Sequence, residues 1–204
     1  SAGLGEGAEM DVLEFLEAAK KAPETLSLGT DVVVIGAGNT AMDAARVAKR
    51  AAGVENVRLV YRRTKAQMPA DEEELDFALA DGVEFMELLA PVSLADGELT
   101  CNVMRLGEPD ASGRSRPIVQ AGSNFELEAD VVIIAIGTSS NPLIRLTTPG
   151  LNTNEWGSIV VYGPGGETSR QRVYAGGDVV TGSATVIQAM GAGKDAAIAI
   201  DRMI

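Results

Sequence analysis

The sequence predicts an α/β fold in which a Rossmann-like, three-layer domain uses a β-meander as one of its crossovers. A buried strand, Val32–Ile35, leads through a glycine-rich turn into a helix. Two further apolar runs, 57–61 and 129–136, are typical of buried parallel strands. Between 91 and 128, polar residues and the turn dipeptide Asp96-Gly97 indicate an antiparallel hairpin instead.

The turn after the first strand reads Gly-Ala-Gly-Asn-Thr-Ala and fits the pattern G-x-G-x-x-A. Gly36 permits the tight turn, Gly38 lets a pyrophosphate approach the backbone, and Ala41 lets the helix pack closely on the strand. The N–H groups at the helix start, from Asn39 and Thr40 onward, favour phosphate together with the helix dipole. The strand and helix around the motif predict a dinucleotide site, and a purely structural glycine turn is the alternative.

Basic residues follow the second strand, where an NAD site commonly carries an acid for the ribose 2′-hydroxyl. The segment reads Arg62-Arg63-Thr64-Lys65 in a chain of net charge −12. Guanidinium groups bind a 2′-phosphate through charge-assisted, often bidentate hydrogen bonds. Arg62 and Arg63 therefore predict NADP as the nucleotide. In the alternative interpretation they pair with the acidic run 71–74 or lie in solvent.

Composition argues against several classes of function. The negative charge is unsuited to a nucleic-acid partner. No apolar run approaches the roughly 18 residues of a membrane helix, and no signal peptide is recognisable. The single cysteine, Cys101, excludes an internal disulfide and a C-x-x-C pair, and no histidine is available for a zinc site or a His-based triad. We expect a cytoplasmic protein that uses neither a membrane nor a metal site in this chain.

Helices are predicted around the first two strands. Residues 9–21 have helical spacing, and a second helix covers 39–52. Pro69 begins a third helix, which Gly82 ends. Its first turn holds Asp71–Glu74, and acids are favoured near the positive end of a helix. We therefore interpret this run as helix-end charge rather than a metal site.

The meander follows a short strand at Val83–Met86. Its predicted strands are 92–95, 99–106 and 125–128, with a polar loop over 108–116. The apolar strand 129–136 then returns to the main sheet.

The dipeptide Asn141-Pro142 marks a boundary. The predicted organisation is an N-terminal helix and linker over 1–29, a nucleotide-binding domain over 30–140, and a C-terminal segment over 141–204.

An acid in the last segment stands where a ligand could meet it. Gly176-Gly177-Asp178 lies between predicted strand 172–175 and a helix over 183–203. The carboxylate of Asp178 can accept hydrogen bonds from a polyol, or it can serve only the turn or a helix cap. Both interpretations stay open on the residues alone.

Six blocks of sequence occur in the order found in a known family. They are 32–46, 60–63, 68–70, 135–144, 175–186 and 189–194. From about residue 9 to the end, the chain resembles the small, or beta, subunit of NADPH-dependent glutamate synthase, within the pyridine nucleotide-disulfide oxidoreductase-like superfamily. Related flavoprotein subunits, such as the large subunit of NADH-dependent ferredoxin:NADP oxidoreductase, share these blocks.

The resemblance implies an NADP-binding domain inserted into an FAD-binding domain, whose C-terminal part is the segment 141–204. The implied NADPH contacts are Gly36, Gly38, Asn39, Thr40 and Ala41 at the pyrophosphate and Arg62 and Arg63 at the 2′-phosphate. Gly137 would lie at the junction between the domains. The implied FAD contacts are Gly177 and Asp178 at the ribityl chain and Ala184, Thr185 and Val186 near the flavin ring.

The family reaction passes hydride from NADPH to FAD and electrons through iron–sulfur clusters to a partner subunit. The implied partner is the large glutamate synthase subunit or another electron-acceptor subunit. This chain lacks a second glycine motif for the FAD pyrophosphate and a cysteine-rich segment for the clusters. We therefore interpret it as a fragment that needs the missing half of the FAD domain, with iron–sulfur clusters only outside it. Alone, it would bind NADPH and catalyse nothing.

Two rival functions have some support. Tyr61 and Lys65 have the Y-x-x-x-K spacing of short-chain dehydrogenases, but that pair belongs on a helix well after the glycine motif. A non-catalytic dinucleotide-sensing module would explain the missing base, nucleophile and metal. It would not explain Gly176-Gly177-Asp178 and the last helix, which indicate a second ligand.

Overall fold

A computed structural model describes residues 8–109, 114–137 and 140–204. The chain divides into two compact units, Ser1–Gly137 and Thr138–Ile204.

A parallel sheet forms the centre of the first unit. Its strands, within the described residues, are β1 (Ala8–Asp11), β2 (Asp31–Ile35), β3 (Asn56–Tyr61), β4 (Glu84–Glu87) and β8 (Val131–Ile134). They lie in the order β1-β8-β2-β3-β4, and every neighbouring pair is parallel. The last strand in sequence thus lies beside β2, so the carboxyl ends of these strands share one edge.

Three helices cover one face of this sheet. They are α1 (Val12–Lys21), α2 (Asn39–Lys49) and α3 (Glu72–Ala80). Alternate side chains of β2 divide between two cores: Val32 and Val34 pack toward the helices, whereas Val33 and Ile35 pack toward the meander. Both faces of β2 are therefore buried, which is why its sequence is continuously apolar.

An antiparallel meander covers the other face, as predicted. Its strands are β5 (Leu89–Ala95), β6 (Glu98–Pro109) and β7 (Ser115–Glu128). Asp96 and Gly97 both have positive φ angles, 52° and 78°, as a two-residue type I′ hairpin requires. The Rossmann-like, three-layer α/β fold with a meander crossover is confirmed.

The second and third strands of the meander, β6 and β7, are longer than predicted. We expected a polar loop over 108–116, of which 110–113 lie outside the described residues. On either side of them, β6 continues to Pro109 and β7 begins at Ser115. Cross-strand pairing extends the strands through polar sequence that has no apolar alternation to reveal it.

Several helix ends also differ from prediction. The helix expected over 9–21 begins at Val12, because Ala8–Asp11 pairs with β8 and Asp11 caps the helix. The helix expected from Pro69 begins only at Glu72. The helix expected over 39–52 ends at Lys49.

Charged side chains at the amino-terminal edge of the sheet are structural. Asp31 is buried and accepts hydrogen bonds from Arg58 Nη1 at 2.9 Å and Asn56 Nδ2 at 3.0 Å. Burial acts to raise the pKa of Asp31, but hydrogen bonds from Thr30, Arg58 and Asn56 outweigh it and hold the pKa below its usual value. Nearby, the backbone N–H groups of Asp31 and Thr30 lower the pKa of Asp130.

The second unit has less regular structure. Its helices are α4 (Pro142–Thr147), α5 (Asp178–Thr181) and α6 (Val186–Met203). The strands predicted near 157–161 and 172–175 occur only as isolated bridges, such as Thr153 with Ile159 and Glu167 with Tyr174. The last helix begins at Val186 rather than Ser183 because Thr185 caps it.

Candidate dinucleotide-binding site

Gly36 makes the turn out of β2. Its φ is +142°, a conformation that L side chains rarely adopt, and a Cβ there would lie 2.2 Å from the Ala135 carbonyl oxygen. Its N–H donates to the Val60 carbonyl at 3.0 Å, which continues the pairing of β2 with β3. Protein packing alone therefore explains this glycine.

Gly38 has a different environment. It caps α2 with φ −91° and ψ 170°, which any residue can adopt. The atom nearest to a Cβ at this position would be Pro69 Cγ, at 3.9 Å, an ordinary contact. Packing within the described residues thus leaves room for a side chain at Gly38, and a ligand approaching the backbone would explain its absence.

The start of α2 carries the donors that such a ligand would meet. The first amides bonded within the turn are Ala41 and Met42, whose N–H groups donate to the Gly38 carbonyl. No side chain caps this end, and Asn39 and Thr40, whose N–H groups precede those amides, are exposed. Ala41 is fully buried, as expected where the helix packs closely on the sheet.

A second segment is fastened to the glycine turn. The Ala70 N–H donates to the Ala37 carbonyl at 3.0 Å. The Asn39 side chain accepts from the Asp71 N–H at 3.0 Å and donates to Asp71 Oδ2 at 3.2 Å. The predicted ligand residue Asn39 therefore has a structural role through its side chain, and its backbone remains the part suited to phosphate.

The two predicted 2′-phosphate residues follow β3 at the same sheet edge. Arg62 is exposed, and no hydrogen bond or ion pair engages its side chain within the part of the chain that the structure describes. Arg63 is half-buried, and its Nε donates to the Ser115 carbonyl at 3.0 Å. Neither pairs with the acidic run at 71–74 among the described residues, which was the first part of the alternative interpretation. The exposed Arg62 agrees with its second part, in which these arginines lie in solvent.

Lys65 instead lies close to two acidic side chains of this region. Its Nζ lies 4.0 Å from Glu72 Oε1 and 3.7 Å from Asp76 Oδ1. Tyr61, the other member of the short-chain dehydrogenase spacing, donates its hydroxyl to the Gln67 carbonyl at 2.9 Å. Tyr61 ends a strand, so the pair does not share the helix that this rival function requires.

One basic residue near this edge was missed by sequence reasoning. Arg114 Nη2 donates to the Gln67 carbonyl at 3.2 Å, although the two residues are 47 positions apart. The next residue, Ser115, begins β7, and its carbonyl accepts the hydrogen bond from Arg63 Nε. Only the pairing of the meander could reveal this neighbour, because no local pattern around 114 indicates it.

The second unit contains the other predicted ligand residues. Gly177 is buried with φ +72°, and a Cβ there would lie 3.3 Å from Ala189 Cβ on α6. Asp178 is exposed and begins α5, and no described residue hydrogen-bonds its carboxylate. The glycine thus has a packing explanation, whereas the acid has none.

The start of α6 lies beside Asp178. The Thr185 hydroxyl accepts from the Gln188 N–H at 3.3 Å and completes a capping box. Asp178, Ala184, Thr185 and Val186 share the lining of a cavity of about 400 Å³. A second cavity, about 260 Å³, also reaches Asp178. Gly137, the predicted junction residue, is the last residue of the first unit.

A family sequence profile described as pyridine nucleotide-disulphide oxidoreductase matches residues 4–193. The chain belongs to the pyridine nucleotide-disulphide oxidoreductase family. Among solved structures, this chain resembles thioredoxin reductase from T. acidophilum, with a TM-score of 0.72, 21% identity, and coverage of 100% of this chain and 60% of that one. At this identity the likeness establishes the fold.

Curated relatives carry the names of oxidoreductases and of a glutamate synthase small chain. The protein named "Putative oxidoreductase YgfK" from Escherichia coli K12 is 44% identical over 191 residues, covering 92% of this chain and 18% of that protein. The "Putative glutamate synthase (NADPH) small chain" of Cereibacter sphaeroides is 38% identical over 211 residues, covering 97% of this chain and 51% of that protein. The predicted resemblance to that family is confirmed. This chain spans about a fifth to a half of these relatives' length.

The described ranges contain neither a metal-ligand cluster nor a membrane-spanning helix. No group of three or more His, Cys, Asp or Glu residues is arranged to hold a metal ion there. None of the helices in the described ranges is both long and apolar enough to span a bilayer.

Proposed function

We propose that this chain is the NADPH-binding portion of a flavin-dependent oxidoreductase similar to the glutamate synthase small chain. In the whole protein, hydride would pass from NADPH to FAD, and electrons would continue through iron–sulfur centres to a partner subunit. The chain itself would hold the nucleotide, together with one side of the FAD site.

Gly38 is the observation that carries the proposal. A Cβ at Gly38 would meet only Pro69 Cγ, at 3.9 Å, and the uncapped N–H groups of Asn39 and Thr40 follow directly at the helix N-terminus. A pyrophosphate fits this chemistry because it needs donors without a competing side chain. Ala41 supports it indirectly, since its small buried side chain lets the helix begin close to the sheet.

Arg62 and Arg63 support NADPH over NADH. The pairing of Gly36 N–H with Val60 places both residues one or two positions beyond the strand that borders the glycine turn. A 2′-phosphate would meet a guanidinium at Arg62 without first breaking an ion pair seen among the described residues. Arg63 would act from a fixed position because Ser115 holds its Nε.

Asp178 supports a second ligand in the second unit. An exposed carboxylate beside a positive helix end suits a ribityl hydroxyl chain, which donates hydrogen bonds. Gly177, Ala184, Thr185 and Val186 would border the same cofactor, and Gly137 would connect the two ligand regions. This acid favours the flavoprotein over a module that only senses dinucleotides.

Calorimetric titration with NADPH and NADH tests the proposal. The protein should prefer NADPH, and Arg62→Ala should weaken NADPH by roughly ten- to a hundredfold, since a charged hydrogen bond contributes about 1.5–3 kcal/mol. NADH binding should hardly change. Arg170→Ala removes an exposed arginine in the second unit and is the matched control. Equal affinity of the wild type for both nucleotides would refute the proposed specificity.

A further inference from the structure

The beginning of β7 lies against the segment that follows β3. Ser115 accepts from Arg63 Nε at 3.0 Å, and Arg114 Nη2 donates to the Gln67 carbonyl at 3.2 Å. The same Gln67 carbonyl accepts from the Tyr61 hydroxyl at 2.9 Å. Two separate hydrogen bonds therefore hold the Arg114 backbone region and side chain beside residues 61–67.

This arrangement gathers positive charge in an acidic protein. The chain carries 17 basic and 29 acidic side chains, yet Arg62, Arg63 and Arg114 all border one short segment. The nearby acids Glu72 and Asp76 lie within 4.0 Å of Lys65 rather than of these arginines. A dianionic group at this edge would thus encounter guanidinium groups from two distant parts of the sequence.

We infer that Arg114 is a specificity residue for the nucleotide 2′-phosphate, contributed by the meander. The inference rests on the proposed function, because it adds a residue to the same phosphate site. A guanidinium is a planar fork with five N–H donors, so a hydrogen bond from one nitrogen to Gln67 fixes the orientation of the whole group. The meander would then contribute to nucleotide specificity as well as to the core, since Arg114, immediately before β7, would help to select NADPH.

Two variants separate charge from scaffolding. Arg114→Gln keeps an N–H donor, on a shorter side chain, and removes the charge, whereas Arg114→Lys keeps the charge and loses the planar fork. Arg105→Ala is the matched control, because Arg105 is an exposed arginine of the same meander. It pairs with Ile118, which follows Arg114 by four positions.

The probes are NADPH, NADH, 2′,5′-ADP and 5′-ADP, titrated calorimetrically. Arg114→Gln should weaken NADPH and 2′,5′-ADP by about tenfold and leave NADH and 5′-ADP unchanged. Arg114→Lys should lose less, and Arg105→Ala should match the wild type. Because the two ADP analogues differ only in the 2′-phosphate, loss of folding cannot imitate this pattern.

Three results would overturn the inference. In the first, Arg114→Gln and Arg114→Lys both keep the wild-type preference for 2′,5′-ADP, whereas Arg62→Ala loses it. This result would leave the proposed function unchanged and give Arg114 only a structural role. Equal weakening of all four probes would likewise give Arg114 a structural role. A wild type that does not discriminate 2′,5′-ADP from 5′-ADP would refute the proposed specificity and this inference together.

Discussion

Replacing Gly38 by alanine should weaken dinucleotide binding strongly while the fold persists. The new Cβ would be 3.9 Å from Pro69 Cγ, and φ −91° with ψ 170° suits alanine. The main cost to stability is the poorer helix cap, which we place below about 1 kcal/mol. At about 2–4 °C per kcal/mol, the melting temperature should fall by less than about 4 °C.

Binding should respond far more strongly. The added methyl group would occupy the space through which a pyrophosphate approaches the N–H groups of Asn39 and Thr40. Each charged hydrogen bond contributes about 1.5–3 kcal/mol, so the loss of one should weaken the affinity for both NADPH and NADH by roughly ten- to a hundredfold. This joint loss distinguishes Gly38→Ala from Arg62→Ala, which should affect NADPH alone.

Gly36→Ala is the contrasting variant. Its Cβ would lie 2.2 Å from the Ala135 carbonyl oxygen in a backbone conformation with φ +142°. Overpacking and backbone strain cost about 1–3 kcal/mol each, so the free energy of unfolding should fall by at least about 2 kcal/mol. Thermal denaturation and calorimetry of both variants form the assay. A folded Gly38→Ala protein with wild-type affinity for NADPH would refute the reasoning.

Three further predictions concern other parts of the molecule. Burial raises the pKa of Cys101 to about 11, so the native thiol, about 0.1% ionised at pH 8, should resist iodoacetamide until the meander unfolds, and prompt labelling would contradict its burial. The pKa of Asp130 is lower in the folded protein than its usual value, so the stability that Asp130 contributes is complete above about pH 4 and is lost as the pH falls further. Asp130→Asn should therefore make the free energy of unfolding, measured by urea titration, depend less on pH in this range, and an unchanged dependence would contradict the role of Asp130. Added FAD should be lost from this chain on desalting, whereas a longer protein with the rest of an FAD domain should retain FAD, and its Asp178→Ala variant should lose FAD. Stoichiometric FAD on this chain after desalting would show that the fragment interpretation is wrong.

The local motifs were predictable because they depend on short-range geometry. The run Val32–Ile35 followed by Gly36 and Gly38 predicts a buried strand, a tight turn and a helix, since each residue type there has a narrow set of suitable conformations. The Asp96-Gly97 turn likewise predicts the hairpin that became β5 and β6. The cofactor roles of Gly36–Ala41, Arg62 and Asp178 remain predictions for the binding experiments.

Element ends were less predictable because tertiary contacts decide them. Ala8–Asp11 has the composition of a helix start, yet it pairs with β8, more than a hundred residues away along the chain. The polar stretch around Pro109 and Ser115 becomes strand because a partner strand satisfies its backbone groups. In both cases the deciding hydrogen bonds come from residues that a local window does not include.

The sequence by itself determined the family, the three-layer fold and the two regions where cofactors are expected. Only the tertiary structure decided that Asn39 is hydrogen-bonded to Asp71, that packing leaves room for a Cβ at Gly38, and that Arg114 lies beside residues 61–67. The physical reason is the same throughout. Residue types and spacing set local conformation, whereas the register of paired strands determines which distant side chains meet at one edge of the sheet.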